Sequence, residues 1–491
     1  MPEHNFGSRR VYYNNFAAHL LNAYNPNMLY PDLPHRWADR DWFRVMDMVE
    51  AFGFNVFEFW LVPRLFSREG LAAPFGREFI RQINAVIDHA HEVGLKVQML
   101  CSLATVGADW RTFCPHRDDE WAEVRHLWNA WTKALPGLDI VGIFPGDPGA
   151  CSLNGCTALT YVDRSVEVAE LVRKNLPDAE IEFNTWGPPF FGWGIIEGPP
   201  GWDGEFVQSC QHTAWTFDED RMRRSMEHLL ERLPDFPHPT SVAINMGFNP
   251  DGNPEGAQDA RPWARRIART HPIHTWDFSL TEGENAVLPH YRFDRLFEQR
   301  RREQEAAPYS GGICYTMTPL LNQISLFESA RSFTDPDTDH AAVAREYFRK
   351  TLGPEAEQLA DYAPLFEVVP DWGYYREIDL GREAYHGRMS ECAELLADIE
   401  GSVSACLPVH PTPERIRREL LFFARLFRDL SAPAPDYDAL RKRYRRRVYA
   451  IYDRLPDHVD PRPERATDNL METFRNWEDR PEAPAPGQWA Q

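Results

Sequence analysis

Along the first two thirds of the chain, short apolar runs alternate with longer segments in which apolar positions recur every three or four residues. The runs are Val11–Leu20, Asn55–Val62, Lys96–Leu103, Asp139–Phe144, Glu180–Trp186, Glu205–Cys210, Ser241–Gly247, Ile273–Phe278 and Gly311–Met317. Helical spacing follows most of them, at Arg40–Ala51, Arg77–Val93, Asp118–Lys133, Asp163–Leu176 and Asp218–Leu233. Asp218 can cap the start of its helix. Gly53 and Gly94 can end theirs, because glycine takes the left-handed conformation without a Cβ penalty. Strands alternating with helices build βαβ units and a parallel sheet.

The runs outnumber by one the eight strands with which a barrel closes. Glu205–Cys210 therefore reads as an excursion after the fifth strand. An open, doubly wound sheet would place a glycine-rich phosphate turn after its first strand. Here Val11–Leu20 is followed by Asn22-Ala23-Tyr24-Asn25-Pro26, so the pattern predicts a (β/α)8 TIM-type barrel over residues 1–335. From His340 to about Arg475 the spacing is helical, with breaks at Pro354, Pro370, Pro408–Pro413 and Pro433–Pro435. An all-helical C-terminal domain over 336–478 is expected, then a disordered, proline-rich tail over 479–491.

Net charge narrows the partners. At a formal −21 the chain repels phosphate backbones and anionic lipid, so nucleic acid and membrane surfaces are disfavoured and a small carbohydrate is the expected partner. The N-terminus has no apolar leader, and no run of about 18 residues lacks a charge or a breaker. The expectation is a soluble, cytoplasmic enzyme; a homo-oligomer is compatible with the sequence. The 8 cysteines do not read as a disulfide framework.

Barrel enzymes place their chemistry at the C-terminal ends of the strands. Carboxylates there are informative, because burying one unpaired is costly. Glu58 lies inside the apolar run Val56–Val62. Asp147 sits in the turn Phe144-Pro145-Gly146-Asp147-Pro148-Gly149. Asp277 lies on the eighth run, and Glu282 and Glu284 flank Gly283 in the segment after it. Glycosidic bond cleavage needs two carboxyls across the sugar, one protonated and one ionised. A structural role is the competing account: Glu58 or Asp277 could pair with a buried arginine such as Arg64 or Arg292. Among the 16 tryptophans, Trp60, Trp186 and Trp276 fall at strand ends, where indoles can stack on the C–H faces of sugars. With Arg64, Asn184, His212 and Tyr315 they make up the expected substrate-binding set.

The barrel order, the turn carrying Asp147, Asn184-Thr185-Trp186, Trp276-Asp277 and the helical C-terminal region together resemble the barrel glycoside hydrolases of families 20, 67, 84 and 115. The resemblance spans roughly residues 11–475 and implies a glycosidase that needs no cofactor for hydrolysis. Families 20 and 84 carry two adjacent acidic residues after the fourth strand, whereas Pro148 follows Asp147 here. Only Asp147 is carried over, as acid or nucleophile.

Cys114 and His116 after the third strand, with Cys151 and Cys156 after the fourth, could form a tetrahedral set for a structural zinc. The leading expectation is an exo-acting glycoside hydrolase on small intracellular oligosaccharides or glycosides. One alternative is a metal-dependent sugar isomerase, epimerase or lyase. It would use Glu58, Asp147, Glu182 and Asp277 as oxygen ligands, with His19, His212 or His274 beside them. Another is a catalytically silent carbohydrate-binding protein.

Overall fold

The computed structural model describes residues 6–14, 38–61, 70, 72–104, 113–144, 156–185, 194–195, 215–216, 219–237, 239–244, 261–276, 289, 291, 293–315, 322–366, 380–399, 406–410, 412–452 and 470–477. Eight parallel strands close into a barrel: β1 (Arg9–Asn14), β2 (Val56–Leu61), β3 (Lys96–Ser102), β4 (Ile140–Phe144), β5 (Glu180–Asn184), β8 (Thr240–Ile244), β9 (Ile273–Thr275) and β10 (Gly311–Tyr315). Between β5 and β8 the chain forms a short antiparallel pair, β6 (Gly194–Ile195) and β7 (Trp215–Thr216). β5 pairs directly with β8, Glu182 lying opposite Ser241, so the closed barrel holds no place for a further strand. Glu205–Cys210, expected to be an excursion, lies outside the described residues.

The expected helices form with small shifts at their ends: α1 (Asp39–Phe52), α2 (Pro74–Glu92), α3 (Asp118–Ala134), α4 (Ala158–Asn175) and α5 (Glu219–Arg232). Then follow α6 (Arg261–Ile267), α7 (Phe293–Ala306), α8 (Gln323–Thr334), α9 (His340–Leu352), α10 (Arg382–Asp398), α11 (Pro413–Ser431) and α12 (Tyr437–Tyr452). Gly53, at φ 103°, and Gly94, at φ 89°, take the left-handed conformation just past α1 and α2, as their positions predicted. Asp218 lies outside the described residues. Along α4 the buried positions Tyr161, Val162, Ser165, Val166, Ala169 and Val172 keep the spacing of one helix face.

Two glycines let β10 take its place. A Cβ on Gly311 would stand 1.7 Å from the Arg9 carbonyl oxygen, and one on Gly312 1.9 Å from Thr275 Oγ1. Only a residue without a side chain fits between β1 and β9 at those two points.

The chain divides into two compact units. The first comprises Met1–Leu21, Asn55–Asp277 and Glu303–Ile313, and most of the barrel lies in it. The second comprises Asn22–Phe54, Phe278–Arg302 and Cys314–Gln491. After β10 every described element is helical. Thr412 caps α11, its hydroxyl accepting from the Arg415 N–H at 3.2 Å, and Pro413 opens the first turn where no N–H is needed. The helix buries Ile416, Leu420, Phe423, Phe427 and Leu430 along one face. Phe427 packs on Phe366, Phe423 and Phe474, and Tyr385 and Trp477 extend the cluster. No helix among the described residues is long and apolar enough to cross a membrane.

Candidate active site

Strand alternation sends every second side chain to the barrel interior. In most barrels of this size that space is filled by branched apolar residues. Here the alternate positions of β5 are Glu180, Glu182 and Asn184, and β1 opens with Arg9. Arg9 Nη1 donates to Glu180 Oε1 at 2.5 Å and to Ser241 Oγ at 3.3 Å. Its Nη2 donates to Gln98 Oε1 at 2.6 Å and stands 2.8 Å from Glu182 Oε2. Gln98 Nε2 in turn donates to Glu182 Oε1 at 2.7 Å, and Ser241 Oγ to Glu180 Oε1 at 2.5 Å. His274 Nδ1 on β9 lies 3.3 Å from Glu182 Oε2. Residues of five strands thus join in one network around the Arg9 guanidinium.

These neighbours decide the charges. Burial alone would raise the pKa of Glu180, but Arg9, His274 and the Ser241 hydroxyl overcome it and bring the value down to about 2. Glu182 is held low in the same way: burial opposes ionisation, and Arg9 and His274 outweigh it. Burial pushes the His274 imidazole down, and the positive charge of Arg9 adds to the effect.

Glu58 is treated in the opposite way. It sits on β2 with no exposed surface, and no hydrogen bond of full geometry reaches either carboxyl oxygen among the described residues. Burial pushes its pKa well above the usual carboxylate range, and repulsion from Glu182 adds to that. Arg9 and the nearby Trp276 indole offset only part. One interior carboxyl is therefore driven toward its protonated form while its neighbour Glu182 is held as an anion.

Trp276 follows β9 and is buried against Tyr13, with ring centres 5.8 Å apart, and Phe144, at 5.4 Å. Tyr13 and Phe144 belong to the C-terminal halves of β1 and β4, so the three rings share that end of the barrel interior. Asn184 ends β5 and Tyr315 ends β10, both buried. Of the residues expected from sequence, the structure brings Glu58 and Trp276 together. Asp147, Asp277, Glu282, Glu284, Arg64, Trp186, His212, Cys151 and the side chain of Trp60 lie outside the described residues.

Among the described residues, Arg9 is an arginine in the barrel interior, and its ion pairs go to Glu180 and Glu182. Sequence reasoning passed over Arg9, Gln98, Glu180 and Ser241. It weighed Glu182 and His274 only as metal ligands. A signal was present: two glutamates two residues apart on a strand buried on both faces must share the interior and need a cation there.

Cys114 and Cys156 are brought into contact, with their Sγ atoms 3.6 Å apart, and both are buried. His116 is exposed. Among the described residues no group of three or more histidines, cysteines, aspartates and glutamates is placed to hold a metal ion.

No protein-family model matches the chain, and no curated protein is similar to it in sequence. Solved structures are similar in fold. The glycoside hydrolase CpGH84D is 10% identical, with 90% of this chain and 68% of that one covered, at a TM-score of 0.52. CpGH84B is 10% identical over 99% of this chain and 76% of its own, at 0.50. A GH138 enzyme targeting pectin rhamnogalacturonan II is 9% identical over 96% of this chain and 61% of its own, at 0.52. The architecture of this chain, an eight-stranded parallel barrel followed by helices, is thus similar to that of GH84 and GH138 glycoside hydrolases.

Proposed function

We propose that the chain is a glycoside hydrolase, exo-acting on small glycosides, with its chemistry at the C-terminal ends of the barrel strands. The observation that carries this reading is the split between two carboxyls in the barrel interior. Glu58 is pushed toward the acid and Glu182 is held as the anion. Glycoside cleavage requires carboxyls whose environments separate their protonation states in this way. The likeness in fold to glycoside hydrolases of two families, including an enzyme targeting pectin rhamnogalacturonan II, supports the same class. The lengths of segments 187–203 and 248–261 suit a closed pocket better than an open groove.

Glu182 is committed to Arg9, and its negative charge helps hold Glu58 toward the acid form. Asp147 is the reacting carboxyl assigned from sequence, and its partner comes from Asp277, Glu282 or Glu284, with Glu58 next in order. A panel of chromogenic glycosides tests the class. Turnover of at least one is expected, and Asp147→Asn should lower kcat by about a hundredfold or more with the fold intact. Azide offered to Asp277→Asn, Glu282→Gln and Glu284→Gln should rescue the variant that lacks the nucleophile. No turnover across the panel would overturn the class; unchanged turnover of Asp147→Asn on a poor leaving group would remove that residue from the mechanism.

A further inference from the structure

We propose that Cys114 and Cys156 form a reversible disulfide site that ties the connection between β3 and α3 to the connection between β4 and α4. Cys114 lies four residues before α3 and Cys156 two before α4, and their sulfurs meet at 3.6 Å. Both are buried, at 5% and 6% exposure, and cluster together among the described residues. Apolar packing of two such small side chains contributes little. Two thiols in contact are, in contrast, the reactants of a single bond. Forming the bond requires the 3.6 Å gap to close to about 2.05 Å.

A peroxide is the oxidant class. One thiolate attacks a peroxide oxygen, the O–O bond breaks, and a sulfenic acid and water result. The second sulfur attacks the sulfenic sulfur, the S–O bond breaks, and a second water leaves as the S–S bond forms. Two thiols give up two electrons and two protons, and the peroxide is reduced to two waters. A dithiol reductant reverses the change. The site stands independently of the glycosidase reading, and its test needs no substrate.

The full-length protein is treated with a few equivalents of hydrogen peroxide, alkylated under denaturing conditions and digested for mass spectrometry. A linked Cys114–Cys156 peptide that disappears with dithiothreitol is expected. Thermal unfolding should rise by about 4 °C on oxidation, because the bond closes a long loop in the unfolded chain. The conservative variants Cys114→Ser and Cys156→Ser should each abolish the linked peptide and the shift in Tm. Exposed Cys406 is the internal standard for oxidant dose. The proposal is overturned if Cys114 and Cys156 are recovered separately alkylated at a dose that oxidises Cys406. It is equally overturned if Cys156 is found linked to Cys151, or if an equivalent of zinc leaves with the two thiols.

Discussion

The interior of the barrel and the core of the second unit solve the same packing problem with opposite chemistry. In the barrel, Arg9, Gln98, Glu180, Glu182 and His274 occupy the interior and are joined by directed, charge-assisted contacts. In the second unit the most deeply buried positions include Phe423, Phe427, Leu430, Tyr385 and Phe474, which touch through rings and methyl groups. An ion network in an interior adds little over an apolar filling of the same volume, because desolvation consumes most of the Coulomb gain. Breaking it by removing one member is costly, since a charge is left behind. An aromatic core responds in proportion to the area and volume lost. The Arg9 network is therefore a place where pH acts on this protein, and the aromatic cluster around Phe427 is one where packing does.

The sharpest way to break that contrast is Arg9→Met, which leaves buried Glu182 and half-buried Glu180 without their cation. A loss of about 3–5 kcal/mol is expected by denaturant unfolding at neutral pH. The sign of its pH dependence is fixed by the native charges. In the wild type, Glu180 has a folded pKa of about 2 against an ordinary 4.5. Its contribution is therefore complete above 4.5 and lost as pH falls toward 2. Without Arg9 both carboxylates titrate higher, so the deficit of the variant should shrink on acidification. A deficit independent of pH would mean that Arg9 acts by packing.

Phe427→Leu in the helical core should cost about 1–2 kcal/mol, and that cost should stay flat between pH 5 and 8. A sloping difference would place a titrating group in a core described by its rings.

Glu58→Gln should act in the opposite direction on stability. A carboxyl whose folded pKa is raised destabilises the native state as pH climbs above its ordinary value of 4.5. The glutamine variant should therefore match the wild type below that pH and gain on it above. On a glycoside that the wild type turns over, the same variant should lose rate while gaining Tm. Retained rate with raised Tm would confine Glu58 to a structural role.

The smallest effect belongs to His274, whose folded pKa lies below the ordinary 6.5. Its unfolded form binds the extra proton, so wild-type stability should decline as pH falls below 6.5. His274→Gln should remove that decline and, by taking away one of the charges that hold Glu180 low, narrow the Glu180 transition at acid pH.

Local pattern was enough for much of the fold. The periodicity of Ile140–Phe144 and Ala158–Asn175 is written in consecutive residues, and the left-handed turns at Gly53 and Gly94 follow from one residue type. Glu58 was legible because a carboxylate inside an apolar run is costly wherever the run folds. Its neighbours were not. Arg9 and Glu182 are separated by most of the barrel in sequence, and their 2.8 Å contact exists only after the sheet closes. The same holds for Cys114 and Cys156, which the sequence placed in adjacent loops and the fold brought to 3.6 Å.

By itself the sequence determined the alternation of strands and helices, the barrel class and the presence of costly interior carboxyls, since each depends on residues a few positions apart. Only the tertiary structure decided which charges meet. Barrel closure puts Arg9 of β1 beside Glu180 and Glu182 of β5, leaves Glu58 of β2 without an ion partner among the described residues, and so sends two carboxyls of the same ordinary pKa in opposite directions. Protonation is set by distance and solvent in three dimensions, which no spacing along the chain encodes.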